Sequence, residues 1–323
     1  MKVLILGAGG VGGYVGALLA RAGHQVLLVD RWQEHLEAIN LNGLQVSGQE
    51  SFVVRVEATA KPLPFEWRHA DLLILATKNI DNAETLALVD GLEVDGATSI
   101  QNGLNALDGL IARFGKDRVF GMTTLVSGSL LEPGYVKGFK GDRATFLGEL
   151  DGQRSLRISA FAEQLGDAGL RVVVPDSIGS VLWTKQVSWI PLVVLPTLTR
   201  LTWGEAFAQR DLAAVYVKIE RECAQVATAY GNPPQNFPGL EVSRRLNLPF
   251  EEAVENVLEM GRRFVAEGNG AHEVAMLLDF KRRRRTEADN TIGVMVEKAR
   301  QANISVPYTE CAWRLVRSIE ATF

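Results

Sequence analysis

The sequence predicts an α/β chain, with a doubly wound parallel sheet in its first half and an all-helical second half. Short apolar runs alternate with helical spacing as far as about residue 176, and only long helical patterns follow. A third observation is local. Gly7-Ala8-Gly9-Gly10-Val11-Gly12 forms a G-x-G-x-x-G turn close to the start of the chain. Val3-Leu4-Ile5-Leu6 precede it as a continuous apolar run, the mark of a strand buried on both faces. Val11, Val15, Leu18, Leu19 and Ala22 then recur at helical spacing, and Gly23 ends the helix. Val26-Leu27-Leu28-Val29 form the next strand, tipped by Asp30-Arg31. In such a β-α-β unit the first glycine allows the tight turn and the second lets a pyrophosphate approach the backbone. The third lets helix pack on strand, and the helix N-terminus faces the phosphates. A Gly-rich turn without a ligand is the weaker reading, so a Rossmann-type dinucleotide site is expected.

The remaining elements follow in order. A helix is expected near Gln33–Asn40, then strands at Leu44–Ser47 and Phe52–Ala58. Asp71–Ala76, Ala97–Ile100 and Val119–Thr124 continue the sheet, with a helix at Leu104–Phe114. From Gly128 to Glu149 the pattern is glycine-rich and extended, as in hairpins. Helices are expected over Leu212–Tyr230, Phe250–Ala266, Arg284–Ala302 and Glu310–Ala321, with loops at Asn232-Pro233-Pro234 and at Asn303 to Pro307. This divides the chain into a dinucleotide-binding domain, residues 1–176, and a helical substrate and dimerisation domain, residues 177–323, with the active site expected in the cleft between them. Helical second domains of this kind often supply a dimer surface, which leaves a homodimer open.

At 323 residues, with 47% hydrophobic and 22% charged side chains, the chain has room for two cores and is not of disordered composition. A formal charge of −4 gives no reason to expect nucleic acid or an anionic membrane as partner. Cys223 and Cys311 are too few for a disulfide framework or a thiolate zinc site, and His24, His35, His69 and His272 lack metal-ligand spacing. No metal is therefore expected. The first strand starts at Lys2 and no apolar stretch reaches ~20 residues. Neither a signal peptide nor a bilayer span is expected, and a cytoplasmic location fits best.

Further segments carry a resemblance. Thr77-Lys78 and Gln101-Asn102-Gly103-Leu104 each end a strand of the first half, and Leu131-Glu132-Pro133-Gly134 lies in its extended region. Leu182-Trp183-Thr184-Lys185 and Arg285-Thr286-Glu287-Ala288-Asp289 lie in the helical half. In this order and spacing, over nearly the whole chain, they resemble the ketopantoate reductase family. That resemblance implies NADPH-dependent reduction of a 2-oxo acid, ketopantoate to pantoate, as in pantothenate biosynthesis. Carried over residue by residue, it makes Lys185 the proton donor and Glu287 the acidic residue that contacts bound ligand. Asn102 would touch the nicotinamide side of the cofactor and the substrate. Lys78 and Ser127 would contact the cofactor beside Gly7, Ala8, Gly9, Gly10, Val11 and Gly12, and Arg31 would receive a 2′-phosphate.

The chemistry agrees with those residue types. Reduction of a ketone needs a hydride from a nicotinamide and a proton for the developing alkoxide, and a lysine can stabilise that oxyanion and protonate it. The bland readings are a surface lysine, a carboxylate paired with the neighbouring basic run, and a turn asparagine before glycine. The adenosine end is ambiguous. Asp30, 23 residues after Gly7, would bond a ribose 2′-hydroxyl and favours NAD, whereas Arg31 favours NADP, which is the expected cofactor.

The chain departs from the family around the substrate. At four, eight and eighteen residues beyond Lys185, where the family has asparagines, stand Trp189, Val193 and Trp203, and a family serine is Ala275. Trp189 and Val193 would share the helical face of Lys185, although Pro191 and Pro196 argue against an undistorted helix. A larger, more apolar pocket is expected, suited to a bulkier carbonyl or an imine. A non-catalytic redox sensor would need neither Lys185 nor Glu287. The basic run Lys281 to Arg285 reads as a solvated face, and Cys223 as core.

Overall fold

The computed structural model describes residues 1–60, 63, 65–268 and 270–323. Residues 1–101 and 106–179 form one compact unit; residues 102–105 and 180–323 form a second.

The first unit opens with β1 (Lys2–Leu6), α1 (Gly10–Arg21), β2 (Gln25–Val29) and α2 (Gln33–Asn42). Then come β3 (Leu44–Gly48), β4 (Phe52–Val54), β5 (Glu57–Thr59), β6 (His69–Leu75), α3 (Asn82–Ala87), β7 (Glu93–Ser99) and α4 (Asp108–Phe114). It closes with β8 (Gly121–Thr124), β9 (Ser127–Glu132), β10 (Tyr135–Phe139), β11 (Ala144–Gly148), α5 (Leu156–Asp167) and β12 (Arg171–Val173). A parallel sheet runs β5-β2-β1-β6-β7, with Val3 opposite Val26 and Leu72. Strand order reverses between β1 and β6, the switch point where open α/β sheets bind ligands. Alternation along the strands buries both faces. Val3, Ile5 and Ile74 pack with Leu18 on one side; Leu4, Leu6 and Leu75 pack with Trp67 and Leu110 on the other. Two further sheets, β4-β3-β10-β9 and β12-β11-β8, complete the unit.

Three expectations differ from the structure. Val119–Thr124 does not continue the parallel sheet: apart from one bridge from Val119 to Ala97, its strand β8 pairs antiparallel with β11 in a separate sheet. Phe52–Ala58 reads as one alternating strand but breaks at Arg55-Val56, and β4 and β5 join different sheets. Side chains capture the break. Asn40 both donates to the Ala58 oxygen at 2.8 Å and accepts from its nitrogen at 3.0 Å, imitating a strand partner, while Arg55 donates to the Leu41 oxygen at 2.8 Å. The helix expected from Leu104 starts only at Asp108, because residues 102–105 belong with the other unit.

The second unit is helical. It holds α6 (Ile178–Thr199), whose first two residues close the first unit, then α7 (Trp203–Ala206) and α8 (Arg210–Ala229). A ribbon of two short strands, β13 (Asn236–Phe237) and β14 (Leu240–Glu241), interrupts the helices around Gly239, at φ 80°. Beyond it lie α9 (Val242–Leu246), α10 (Phe250–Ala266), α11 (Ala275–Lys281), a π-helical turn at Asp289–Gly293, α12 (Val294–Gln301) and α13 (Pro307–Glu320). The helix expected from Arg284 begins later, at the π-helical turn; just before it the Ala288 nitrogen donates to Thr286 Oγ1 at 3.1 Å.

Helix α6 continues without a break through Pro191 and Pro196. An interior proline costs ~3 kcal/mol, partly by orphaning the carbonyl four residues back. For Pro196 that carbonyl is Leu192, and the Trp203 indole N–H donates to it at 3.2 Å. Near Pro191, the buried Tyr216 hydroxyl donates to the Ser188 oxygen at 3.1 Å. Val187, Ile190, Val193, Val194 and Leu195 are buried along the same stretch, and that burial offsets much of the remaining cost. At 22 residues α6 is also long and apolar enough to cross a membrane, although no such stretch is expected from the sequence; most of its apolar length is buried inside the protein, as in a core helix.

Candidate active site

The glycine turn of the first unit is shaped by backbone contact. Gly7 has φ +106°, and a Cβ there would stand 2.6 Å from the Thr77 nitrogen. On Gly12 a Cβ would lie 2.1 Å from the Gly7 oxygen and 2.8 Å from Ala76 Cβ, so helix, turn and β6 are in direct contact. Gly10 lies against β9, where a Cβ would meet the Gly128 oxygen at 2.3 Å. Gly9 differs, because a Cβ there would meet nothing within 4 Å. The turn is thus open at Gly9 alone among these four, next to the first N–H groups of α1, which have no acceptor within the helix. That geometry fits a pyrophosphate.

Two side chains hold this turn. Asp30 accepts from the Ala8 nitrogen at 2.8 Å and from the Trp32 nitrogen at 3.0 Å. His35 is fully buried, its Nδ1 accepting from the Gly134 nitrogen at 2.9 Å and its Nε2 lying 2.9 Å from the Ala8 oxygen. Because the Gly134 amide can only donate, Nδ1 is the acceptor and the proton sits on Nε2, giving a neutral ring that donates to Ala8. Sequence reading passed over His35; its one signal is a place on the buried face of α2 with Leu36 and Ile39. Arg31 is exposed beyond Asp30, and Lys78 is half-buried after β6. Ser127, at the start of β9, accepts from Arg143 at 2.9 Å.

In the second unit, Asn102 and Lys185 come together although 83 residues separate them. Lys185 Nζ donates to Asn102 Oδ1 at 3.1 Å. Beside them the Gly103 nitrogen donates to Gln186 Oε1 at 3.2 Å. Removal from water pushes the Lys185 ammonium down to about 8, against the opposing pull of the Glu287 carboxylate. Glu287 itself is half-buried just before the π-helical turn, a type of distortion frequent at functional sites. A partly desolvated lysine bonded to a carbonyl oxygen and under the pull of a carboxylate can give up a proton near neutral pH.

The four departures are not equivalent. Trp189 is half-buried and Val193 buried, at four and eight residues along α6 from Lys185. Trp203 bonds the Leu192 carbonyl and stacks on Phe264, with ring centroids 4.7 Å apart, so it belongs to the structure of α6. Ala275 is exposed at the first position of α11. The basic run from Lys281 to Arg285 is exposed, and Lys281 and Arg285 pair with Glu273 and Asp289. Burial pushes the Cys223 thiol up, away from reactivity.

The fold also brings His69, Asp71 and Asp95 together, with ligand atoms within 4.8 Å, although sequence spacing did not suggest it. They sit where β6 and β7 begin, the opposite end of those strands from the glycine turn. Their groups have protein partners: Asp71 accepts from the Lys2 nitrogen at 2.7 Å, and His69 lies 3.2 Å from Asp95.

Comparison with known proteins agrees with this architecture. The family model for ketopantoate reductase PanE/ApbA matches residues 3–152, and the model of its C-terminal part matches residues 177–320. A 2-dehydropantoate 2-reductase of Pyrococcus abyssi is 32% identical, over 99% of this chain and 98% of the relative. One of Archaeoglobus fulgidus is 28% identical over the same shares. Among solved structures, a PanE/ApbA family ketopantoate reductase from Ralstonia eutropha superposes with a TM-score of 0.81 at 27% identity, covering 100% of this chain and 99% of that one. A D-mandelate dehydrogenase in complex with NADH and anilino(oxo)acetate superposes at 0.84 and 24% identity with the same coverage, a likeness of fold. The chain belongs to the ketopantoate reductase family, and is a nicotinamide-dependent oxidoreductase acting on CH–OH groups and the corresponding ketones.

Proposed function

We propose that the chain reduces a 2-oxo acid to the 2-hydroxy acid with NADPH, in the manner of 2-dehydropantoate 2-reductase. One observation carries the reading: Lys185, desolvated and under the pull of Glu287, donates to Asn102 at 3.1 Å. The bound nicotinamide supplies the hydride. Lys185 gives the proton that turns the carbonyl oxygen into a hydroxyl, Glu287 helps keep the lysine protonated until then, and Asn102 aims it. Glu287 and Asn102 also orient the ligand.

The turn from Gly7 to Gly12 holds the pyrophosphate, with Lys78 and Ser127 as further cofactor contacts. Asp30 is engaged with the backbone, accepting from the Ala8 and Trp32 N–H groups, while Arg31 beside it is exposed, which supports NADPH over NADH. A second reading, a bulkier carbonyl or an imine, is favoured by Trp189 and Val193 on α6, which offer apolar contact where amides would hold a small polar acid. Loss of reduced-nicotinamide absorbance, followed with NADPH and NADH and with 2-oxo acids of increasing side-chain size, tests both. Rapid turnover of ketopantoate supports the first reading. Turnover only of larger substrates supports the second, and cofactor binding with no turnover of any of them removes the enzyme assignment of Lys185.

A further inference from the structure

Gln186 is 4% exposed and follows the proposed proton donor directly. Its two ends fare differently. Oε1 accepts from the Gly103 nitrogen at 3.2 Å, while Nε2 is buried with no hydrogen-bond partner. A buried amide left unpartnered is unfavourable, and an apolar residue of similar volume would avoid that penalty. The end whose effect on the fold is visible is the bonded one, Oε1 on the Gly103 amide.

That end acts on the segment carrying Asn102. Neighbouring residues on a helix point about 100° apart, so Lys185 and Gln186 reach in different directions from α6. The neighbouring residues Asn102 and Gly103 meet both of them. Two attachments hold the segment against the helix, and Gly103, at φ +105°, is a backbone position that other residues rarely adopt.

We propose that Gln186 is a positioning residue for the proton donor: by holding the Gly103 amide it fixes Asn102, and through Asn102 the ammonium of Lys185. The link from Gln186 to Lys185 stands on geometry; its value to catalysis rests on Lys185 being the proton donor. The charged side chain acting on Lys185 is Glu287, from the segment before the π-helical turn, whereas Asn102 and Gln186 are neutral. A carbonyl accepting from an ammonium favours its protonated form, so loosening Asn102 lowers the Lys185 pKa below its present value of about 8.

The test is competitive labelling of amines with acetic anhydride across pH, read on the Lys185 peptide by mass spectrometry, which needs no turnover. Gln186→Leu should lower the Lys185 titration by about one pH unit. Gln186→Glu keeps the acceptor and adds a negative charge, so the titration should rise. If Gln186→Leu does not fold, Gln186→Met removes the acceptor with an unbranched chain. In reduction of ketopantoate by NADPH, the high-pH fall of kcat should move with the titration. For Gln186→Leu, kcat should fall by roughly 10-fold, within the range that small misplacements produce, with KM changed less. A Lys185 titration equal to wild type in the folded Leu or Met variant overturns the proposal, as does an equal loss of activity in the Leu and Glu variants with the titration unmoved. Lys185→Ala runs alongside. Full turnover there removes the catalytic reading of Lys185 whatever the labelling gives, whereas an inactive Lys185→Ala beside a wild-type-like Gln186→Leu removes Gln186 alone.

Discussion

The glycine turn and the lysine helix reach definite geometry by opposite means. From Gly7 to Gly12 the shape comes from side chains that are missing: at three glycines a Cβ would stand 2.1–2.6 Å from a backbone atom, and one faces open space. Along α6 the shape comes from side chains that are supplied. Trp203 and Tyr216 bond carbonyls beside the two prolines, and Asn102 and Gln186 tie the helix to a segment distant in sequence. Sterics of the backbone are readable from a short motif. A constellation of side chains drawn from distant parts of the chain is not.

The largest expected effect lies on the helix. Lys185→Ala should lower kcat about 10²–10⁴-fold, the usual worth of a positioned proton donor, while the affinity for NADPH measured by fluorescence titration stays within a few-fold. If turnover is preserved, the comparison loses its chemical half. The wild-type rate of reduction should also fall as pH rises through about 8, because the ammonium is the form that donates and burial has brought its titration down to that point.

On the turn, two glycines with the same substitution should part company. Gly12→Ala overpacks against the Gly7 oxygen and should cost about 1–3 kcal/mol or more in denaturant melts, weakening cofactor binding as a consequence. Gly9→Ala should leave the melting temperature where it is and weaken NADPH binding alone, since its new methyl points to open space next to the first turn of α1. Equal losses of stability in both would mean that Gly9 is a packing position. Smaller still is Arg31→Ala, expected to raise the NADPH Kd by about 10-fold and leave NADH binding unchanged, as loss of one charge-assisted contact should. An equal effect on both cofactors would take the 2′-phosphate away from Arg31.

Trp203→Phe closes the series. It keeps the ring on Phe264 and removes only the indole N–H, so the Leu192 carbonyl loses its partner and stability should drop by about 1–3 kcal/mol in urea melts. No loss would mean that Pro196 is accommodated in α6 by packing alone.

Much of the fold was legible because strands buried on both faces and amphipathic helices write their period into the chain: β1, β2, β6 and α10 stand within two residues of where the pattern puts them. The failures have physical causes of their own. Phe52–Ala58 keeps its alternation across a break because both strands bury the same parity of residue, and nothing local says that Asn40 will capture Ala58. Nothing local to α6 says that Trp203 will lie beside Pro196 and meet the carbonyl that this proline orphans. At the site, Lys185, Glu287 and Asn102 were found through family motifs rather than through spacing. Gln186 and His35 were missed because their partners are backbone groups 83 and 27 residues away, which no short pattern contains.

The four residues Asn102–Asn105 fold with the half of the chain to which their position in sequence does not assign them. A hybrid that joined the first 176 residues of one family member to the remainder of another would therefore carry a piece of the second unit across with the first. Asn102 and Gly103 would arrive from one parent, Lys185 and Gln186 from the other. Recombination at the apparent boundary separates partners that have to be inherited together, and a crossover that preserves function has to bring residues 102–105 along with the helix they bind.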